Sequence, residues 1–324
     1  MLKRGALLVI LVLSCASVAL ADTAHSAKAW LEKMSQALHS LNYRISFVQL
    51  QENGDFEPYL WRHAVVDGVE MEHLSLQNGP GREVVRIGDR VSYFEPNVPA
   101  YSLRSQVING PLPAEMLRDP TIIQQGYDLV TVGRSRISGR PAQQLRIVSK
   151  DKSRYGFNLW LDQQTGLLLR MDMMDPQGRA LEQIQVTSLQ VSAEPDEYFT
   201  RIETAKLPDV IERDVNSGTI NRWQINWLPA GMQVVRRDTH QLPLTGALVD
   251  YIMLSDGLID VSVYLQKIQS GSGDDGWLRH SGDTLLSIQQ GPLEVTVVGK
   301  LPPKTAKAIA ESVSLNTAAV SARP

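Results

Sequence analysis

The stretch Tyr155-Gly156-Phe157-Asn158-Leu159-Trp160-Leu161-Asp162, with the run Leu167-Leu168-Leu169-Arg170-Met171-Asp172-Met173 that follows it, decides the fold. Tyr155, Phe157, Leu159 and Leu161 occupy every second position, and so do Leu167, Leu169, Met171 and Met173. A period of two belongs to a strand, whose successive side chains point to opposite faces. Gln164-Thr165-Gly166 separates the runs and suits a tight reversal, because glycine tolerates positive φ. Two such runs joined by a short turn form an antiparallel hairpin.

Outward from this hairpin the pattern repeats. Tyr43, Ile45 and Phe47 alternate, then Tyr59, Trp61, His63 and Val65. Asp67-Gly68, Gly88-Asp89 and Asp175-Pro176-Gln177-Gly178 supply further turns. Many short strands with short turns make an antiparallel meander and not a parallel βαβ sheet. Before it, Trp30, Met34, Leu38 and Leu41 form one stripe at helical spacing and predict a helix over 24–41. The stretch 96–126 interrupts the meander with Pro96, Pro99, Pro111, Pro113 and Pro120 and a short helical piece, Ala114–Leu117. It is either a cap over one barrel end or a mobile flap.

Length and composition agree. At about 100–200 residues per domain, 324 residues favour two. The second break comes near Glu194-Pro195, Leu207-Pro208 and Asn216-Ser217-Gly218. The expected layout is a large domain over 22–205, a linker over 206–221, a smaller domain over 222–316 and a tail over 317–324. Strands are expected at Met232–Arg237, Ala247–Leu254, Leu258–Gln266, Thr284–Gln290 and Leu293–Gly299, and a final helix at 303–314. Pro302 and Pro303 fit its start, and Ala306, Ile309, Ala310 and Val313 fit its apolar face.

The hydrophobic fraction of 43% and charged fraction of 21% describe a globular chain. A net charge of -3 argues against a nucleic-acid partner, which needs a basic face to neutralise phosphates. The one long apolar run lies at the N-terminus. Lys3 and Arg4, the run Ala6 to Val18 and Ala19-Leu20-Ala21 are the three parts of a secretory signal, with Asp22 as the first mature residue. The alternative is a lipoprotein, since Val12-Leu13-Ser14-Cys15 resembles a lipidation box; Leu13 is awkward there, and the apolar run continues past Cys15. Removing 1–21 takes away two basic residues and the only cysteine, so the mature charge is 30 − 35 = -5 and no thiol remains.

No catalytic constellation emerges. The histidines at 25, 39, 63, 73, 240 and 280 have no metal-ligand spacing. His63 and His73 flank a turn in adjacent strands and could face each other, although two unrelated strand-face histidines are the plainer reading. Gly271-Ser272-Gly273-Asp274-Asp275-Gly276 spells the dinucleotide fingerprint, but no helical stripe follows it and two aspartates would repel a phosphate. It reads as a hairpin loop, and its acidic pair has too few companions for a calcium site. No cofactor or metal is expected.

What the sequence does show is an excess of aromatic and aliphatic residues on strand faces. Fifteen of the 20 aromatics precede residue 205. Core packing explains most of them; the functional reading is a half-open barrel whose concave face holds acyl chains.

The helix Ala29-Trp30-Leu31-Glu32-Lys33-Met34 and the strand Tyr43-Arg44-Ile45-Ser46-Phe47-Val48 carry a family resemblance. So do Gly79-Pro80-Gly81-Arg82-Glu83-Val84, Gly139-Arg140-Pro141-Ala142, the 155–162 and 165–168 segments, and Leu228-Pro229-Ala230-Gly231. In sum, over roughly 24–315, they resemble the periplasmic sigma-E factor regulatory family, called RseB or MucB. The resemblance implies a mostly β, α+β chain in two domains. The first is an unclosed antiparallel β-barrel around helices, similar to lipoprotein carriers. The second is a smaller β-sheet with a C-terminal helix. It implies a periplasmic, non-enzymatic negative regulator of an envelope-stress sigma factor. Such a protein binds the periplasmic domain of a membrane anti-sigma factor, protects it from site-1 proteolysis and senses lipopolysaccharide or a fatty acyl ligand. A homo-oligomer is left open.

Tyr59, Trp61, Tyr93, Phe94, Phe157 and Trp160 are the candidate lipid contacts. Trp223, Trp227, Arg82 and Arg86 are the candidate partner contacts, with Arg90 on the same basic surface. The rival readings are a periplasmic lipoprotein or lipid carrier, which would need only the first domain, and a hydrolase, which lacks a nucleophile–base pair here.

Overall fold

The computed structural model describes residues 26–211, 222–241, 248–268, 276–280 and 282–316. The signal segment, Cys15, the glycine-rich loop 271–275 and the tail 317–324 lie outside the described residues.

The first helix, α1, spans Ala27–Ser40, and the Ser26 side chain caps it by accepting from the Ala29 N–H at 3.1 Å. It buries Ala27, Leu31, Met34, Ala37 and Leu38. The stripe is therefore rotated from the expected one. Trp30 is only partly buried beneath the Lys33 ammonium, and Leu31 takes the interior position.

Eleven strands follow: β1 (Asn42–Gln51), β2 (Phe56–Val66), β3 (Val69–Leu76), β4 (Glu83–Ile87), β5 (Arg90–Phe94), β6 (Tyr101–Arg104), β7 (Tyr127–Ile137), β8 (Arg140–Ser149), β9 (Gly156–Asp162), β10 (Leu168–Met174) and β11 (Ala180–Ser192). They form one antiparallel sheet in the order β6-β5-β4-β3-β2-β1-β11-β10-β9-β8-β7. The opening hairpin is β9–β10, with Phe157 opposite Met173 and Leu159 opposite Met171. Because β6 and β7 do not pair with each other, the barrel is unclosed.

The inner face, against α1, reads across the strands as Phe47, Tyr59, Leu76 and Ile45, Trp61, Leu74, Val84, Tyr93, Tyr101. The proline-rich insert is a cap. It contributes β6, the short helix α2 (Ala114–Arg118) and a 3₁₀ turn at Ile122–Gln125, and it sinks Ile108, Met116, Leu117 and Ile123 into the core. A small second core on the outer face packs Ala64 and Met71 against Phe199 of a one-turn helix, α3 (Glu197–Thr200).

The small domain holds β12 (Trp223–Ile225), β13 (Gln233–Gln241), β14 (Leu248–Ser255), β15 (Asp260–Lys267), β16 (Gly276–His280), β17 (Asp283–Gln290), β18 (Leu293–Gly299), α4 (Pro303–Glu311) and β19 (Val313–Leu315). Six of these strands form a sheet in the order β13-β14-β15-β18-β17-β16, and α4 packs on β17 and β18. The last helix ends earlier than expected, because Val313 and Leu315 turn back as a strand paired with Ile225 and Trp223. Strand β16 was not expected from the sequence.

The plainer reading of the two histidines holds, and one expectation about an arginine fails. His63 pairs across the strands with Glu72, and His73 with Arg62, so the two histidines point to opposite faces. Arg86 is not on a basic surface. It is 4% exposed, and its guanidinium donates to Glu72 at 2.5 Å and to Glu70 at 2.7 Å inside the barrel.

Candidate functional site: the cavity between the domains

The inner face divides into two halves. Under β1–β5 it is filled. Phe47 stacks on Tyr59 at 5.1 Å, Tyr93 on Tyr101 at 5.0 Å, and Trp61 meets Tyr43 edge-on at 5.3 Å. Between these rings, α1 and the cap remains a cavity of only about 60 Å³, with Trp61, Leu74 and the Arg86–Glu72 pair on its wall. Burial, followed by the charge on Glu72, raises the Tyr43 hydroxyl well above its ordinary range.

Under β9–β11 the same face is open. Phe157, Met171 and Met173 form one wall of a cavity of about 790 Å³. The cap contributes Pro111, Leu112 and Pro113, and the small domain closes the far side with Val235, Met253, Leu258 and Ile259. Polar groups sit at intervals on this apolar lining. Glu182 of β11 and Lys300 of the small domain form an ion pair across it, and Asp256, Asp260 and Asp283 also face it. A large apolar concavity with a few charged groups is the usual form of a binding site. Methionine suits its wall, because an unbranched thioether repacks around different shapes.

A buried latch holds the cavity's two sides. Arg154 (0% side-chain exposure) pairs with Asp256 (1%) at 2.6 Å. Tyr127 donates its hydroxyl to the same carboxylate at 2.8 Å, and the Arg154 guanidinium lies 4.4 Å from the Tyr127 ring centre. Burial and the neighbouring Asp256 charge push the Tyr127 hydroxyl far up. Alongside, the Ala230 N–H donates to Asp151 at 2.7 Å. Burial would raise the Asp151 carboxyl, but hydrogen bonds from Ser153, Ala230 and Ser149 outweigh it and hold that carboxyl well below its usual range. The backbones meet at two glycines. A Cβ on Gly126 would stand 2.4 Å from the Ala230 carbonyl oxygen, and one on Gly231 2.7 Å from the Gly126 nitrogen. Thr305 of α4 donates to the Ser153 carbonyl, and Arg279 reaches Glu52 at 3.1 Å.

Of the candidate lipid contacts, Phe157 lines the large cavity and Trp61 the small one. Tyr59 and Tyr93 share the inner face but are stacked in the filled half. Phe94 and Trp160 do not belong to the inner face. Phe94 follows Tyr93 in a pleated strand and projects from the other side, opposite Glu83. Trp160 likewise alternates with Phe157 and Leu159, and lies outside beneath the Arg170 guanidinium at 4.9 Å. Of the candidate partner contacts, Trp223 is 6% exposed and spends its indole N–H on Asp250, so it is a core residue of the small domain. Trp227 is 41% exposed, and Arg82 is half-exposed beside Glu57. Arg90 is engaged with the Leu207 and Pro208 carbonyls. Sequence reading missed the Arg154–Asp256–Tyr127 latch, whose members are too far apart in the chain to form a motif; Met171 and Met173 were seen as strand positions but not as a wall.

The MucB/RseB N-terminal domain family matches residues 26–211, and the MucB/RseB C-terminal domain family matches residues 218–314. The chain belongs to the MucB/RseB family. The family is one of regulatory binding proteins, not of enzymes. The Sigma-E factor regulatory protein RseB of Salmonella typhimurium is 35% identical over 286 residues, which cover 88% of this chain and 89% of that protein. Among solved structures, the Pseudomonas aeruginosa MucA/MucB complex matches with a TM-score of 0.74 at 30% identity, covering 89% of this chain and 98% of the other. A crystal structure of MucB matches with a TM-score of 0.57 at 29% identity, over 89% of this chain and 97% of the other. Coverage and identity are nearly equal in the two MucB comparisons, so this member of the family superposes better on MucB as found with MucA.

Proposed function

We propose that this chain is a periplasmic negative regulator that binds the periplasmic domain of a membrane anti-sigma factor in the cavity between its domains. The observation that carries the reading is the cavity of about 790 Å³ with walls from both domains, in a chain that superposes better on MucB complexed with MucA. A bound segment is sheltered between two sheets, and the first protease of the cascade then lacks an extended substrate. Acyl chains of lipopolysaccharide or another lipid compete for the same apolar wall, Phe157, Met171 and Met173. Such a ligand releases the partner only in so far as it favours the partner-free form; a coupling of about 1–3 kcal/mol corresponds to a 5–150-fold change in affinity. A simple lipid carrier gives the second domain no task, whereas here that domain supplies half of the cavity wall.

The test is calorimetric titration of the mature protein with the periplasmic segment of the anti-sigma factor, repeated with an acyl ligand present. Binding that the acyl ligand weakens supports the proposal. Absence of binding removes the regulator reading, and binding indifferent to acyl ligand removes the lipid-sensing part.

A further inference from the structure

The outer face of β2–β4 carries a buried histidine that neither the cavity nor the proposed partner site uses. His73 is 2% exposed. Arg62 of β2 donates from Nη1 to His73 Nδ1 at 2.7 Å. A guanidinium has only donors, so Nδ1 must present a lone pair. The ring proton is then on Nε2, which faces the Glu83 carboxylate of β4 at 3.3 Å. The geometry selects the neutral Nε2–H tautomer.

The third side of the ring is the chain leaving the large sheet. Tyr198 of α3 stacks on His73 with centroids 4.0 Å apart, and the Arg62 guanidinium lies 4.9 Å from the Tyr198 ring centre. Asp196 caps α3 by accepting from the Tyr198 N–H at 2.9 Å, and it pairs with Arg62 at 3.3 Å and with Arg44 of β1 at 3.9 Å. The charged and titratable groups around His73 are thus Arg62, Glu83, Asp196 and Tyr198, with Arg44 behind Asp196. Beyond this point the chain runs along β6, where Ser102 accepts from the Ile211 N–H at 2.8 Å.

We propose that His73 is a proton-operated clasp: it holds the strap 196–202, the exit from the large sheet toward the small domain, and protonation of Nδ1 opens it. The added proton occupies the lone pair that accepts from Arg62 and sets two cations against each other. Burial is the main influence that lowers the His73 pKa; Glu83 opposes it and Arg62 adds to it, with a net depression. A depressed folded-state value fixes the sign. The clasp contributes in full above the ordinary histidine value of about 6.5, and its contribution is lost as pH falls through the lower value of the folded chain.

The experiment uses the full mature chain. Nitrogen NMR of the imidazoles reports the tautomer and titration of His73, and amide hydrogen exchange, corrected for intrinsic rates, reports protection of 196–202 at about pH 7.5 and about pH 5. The expected result is an Nε2–H ring at neutral pH, a midpoint below 6.5 and roughly tenfold lower protection of 196–202 in acid, which corresponds to about 1.4 kcal/mol. In His73→Gln the amide oxygen still accepts from Arg62 but takes up no proton, and the acid-induced loss disappears. An Nδ1–H tautomer, an unchanged strap in acid, or equal acid loss in both proteins overturns the proposal. If the variant does not fold, the wild-type tautomer and titration measured against the exchange of 196–202 decide it. His63 also titrates, but it faces the interior, and its Nδ1 bonds the Leu41 carbonyl; its effects therefore register at β1 and β2 and not in the strap.

Discussion

Under β1–β5 the inner face of the large sheet is filled by α1 and the proline-rich cap, whereas under β9–β11 the same face opens onto the cavity shared with the small domain. The filled half is the aromatic one, with Phe47, Tyr59, Trp61, Tyr93 and Tyr101 in stacked or edge-on pairs. The open half presents Phe157 and two methionines. Rigid rings that find partners close a core, and flexible side chains are left where the occupant comes from outside. Aromatic density in the sequence therefore marks the part of this barrel least available to a ligand.

The largest effect is expected of Trp61→Ala. If the filled half is core, the variant loses about 3–5 kcal/mol in urea denaturation, and its acyl binding falls only as its folded fraction falls. A variant of full stability with lost acyl binding would reverse the assignment of the two halves. Next comes Asp256→Asn in the latch, which leaves the buried Arg154 charge with only the more distant Asp151 carboxylate, at 3.5 Å, as counter-ion. We expect a loss of about 3 kcal/mol, together with a larger radius of gyration by small-angle scattering as the domains separate. A stable variant of unchanged size would show that the domains are held by apolar contact alone.

Smaller effects belong to the open half. Met173→Ala removes part of a wall that borders open space, so its stability cost falls near the low end for such truncations, about 2 kcal/mol, while affinity for a fluorescent fatty acid drops about tenfold. Unchanged affinity would move the acyl site elsewhere. Smallest is Trp160→Ala on the outer face, which gives up its contact with Arg170 and the partial packing of its ring on the core, about 1 kcal/mol, and leaves fatty-acid binding as it was. Loss of binding there would return Trp160 to the site.

The contrast also explains what could be read in advance. Alternation located β1, β2, β9 and β10, since burial on one face imposes a period of two. Alternation does not say which face curls inward. Trp160 and Phe157 are equally aromatic and three residues apart, yet the sheet's curvature around α1 puts one outside and the other on the cavity. Charge was misleading for a related reason. Arg86 looks like surface, but it is buried against Glu70 and Glu72, sixteen and fourteen residues earlier, its partly buried partners across the β3–β4 pairing. The latch had no local signal, because Arg154 and Asp256 are 102 residues apart and lie on loops of different domains, before β9 and after β14. Strand β16 escaped notice because Trp277 and Leu278 are both exposed and break the alternation.

The pairing of β1 with β11 has a further consequence. Asn42 lies opposite Ser192, so the central seam of the large sheet joins its first strand to its last. Until β11 (Ala180–Ser192) is available, β1 has only β2 beside it and an open edge on its other side. The domain cannot complete itself from the N-terminus as the chain emerges; closing this seam carries the entropy of a loop of about 150 residues and places the sheet among slow-folding, high-contact-order topologies. A chain of this design therefore keeps that edge unprotected and finishes folding only when nearly the whole first domain is available.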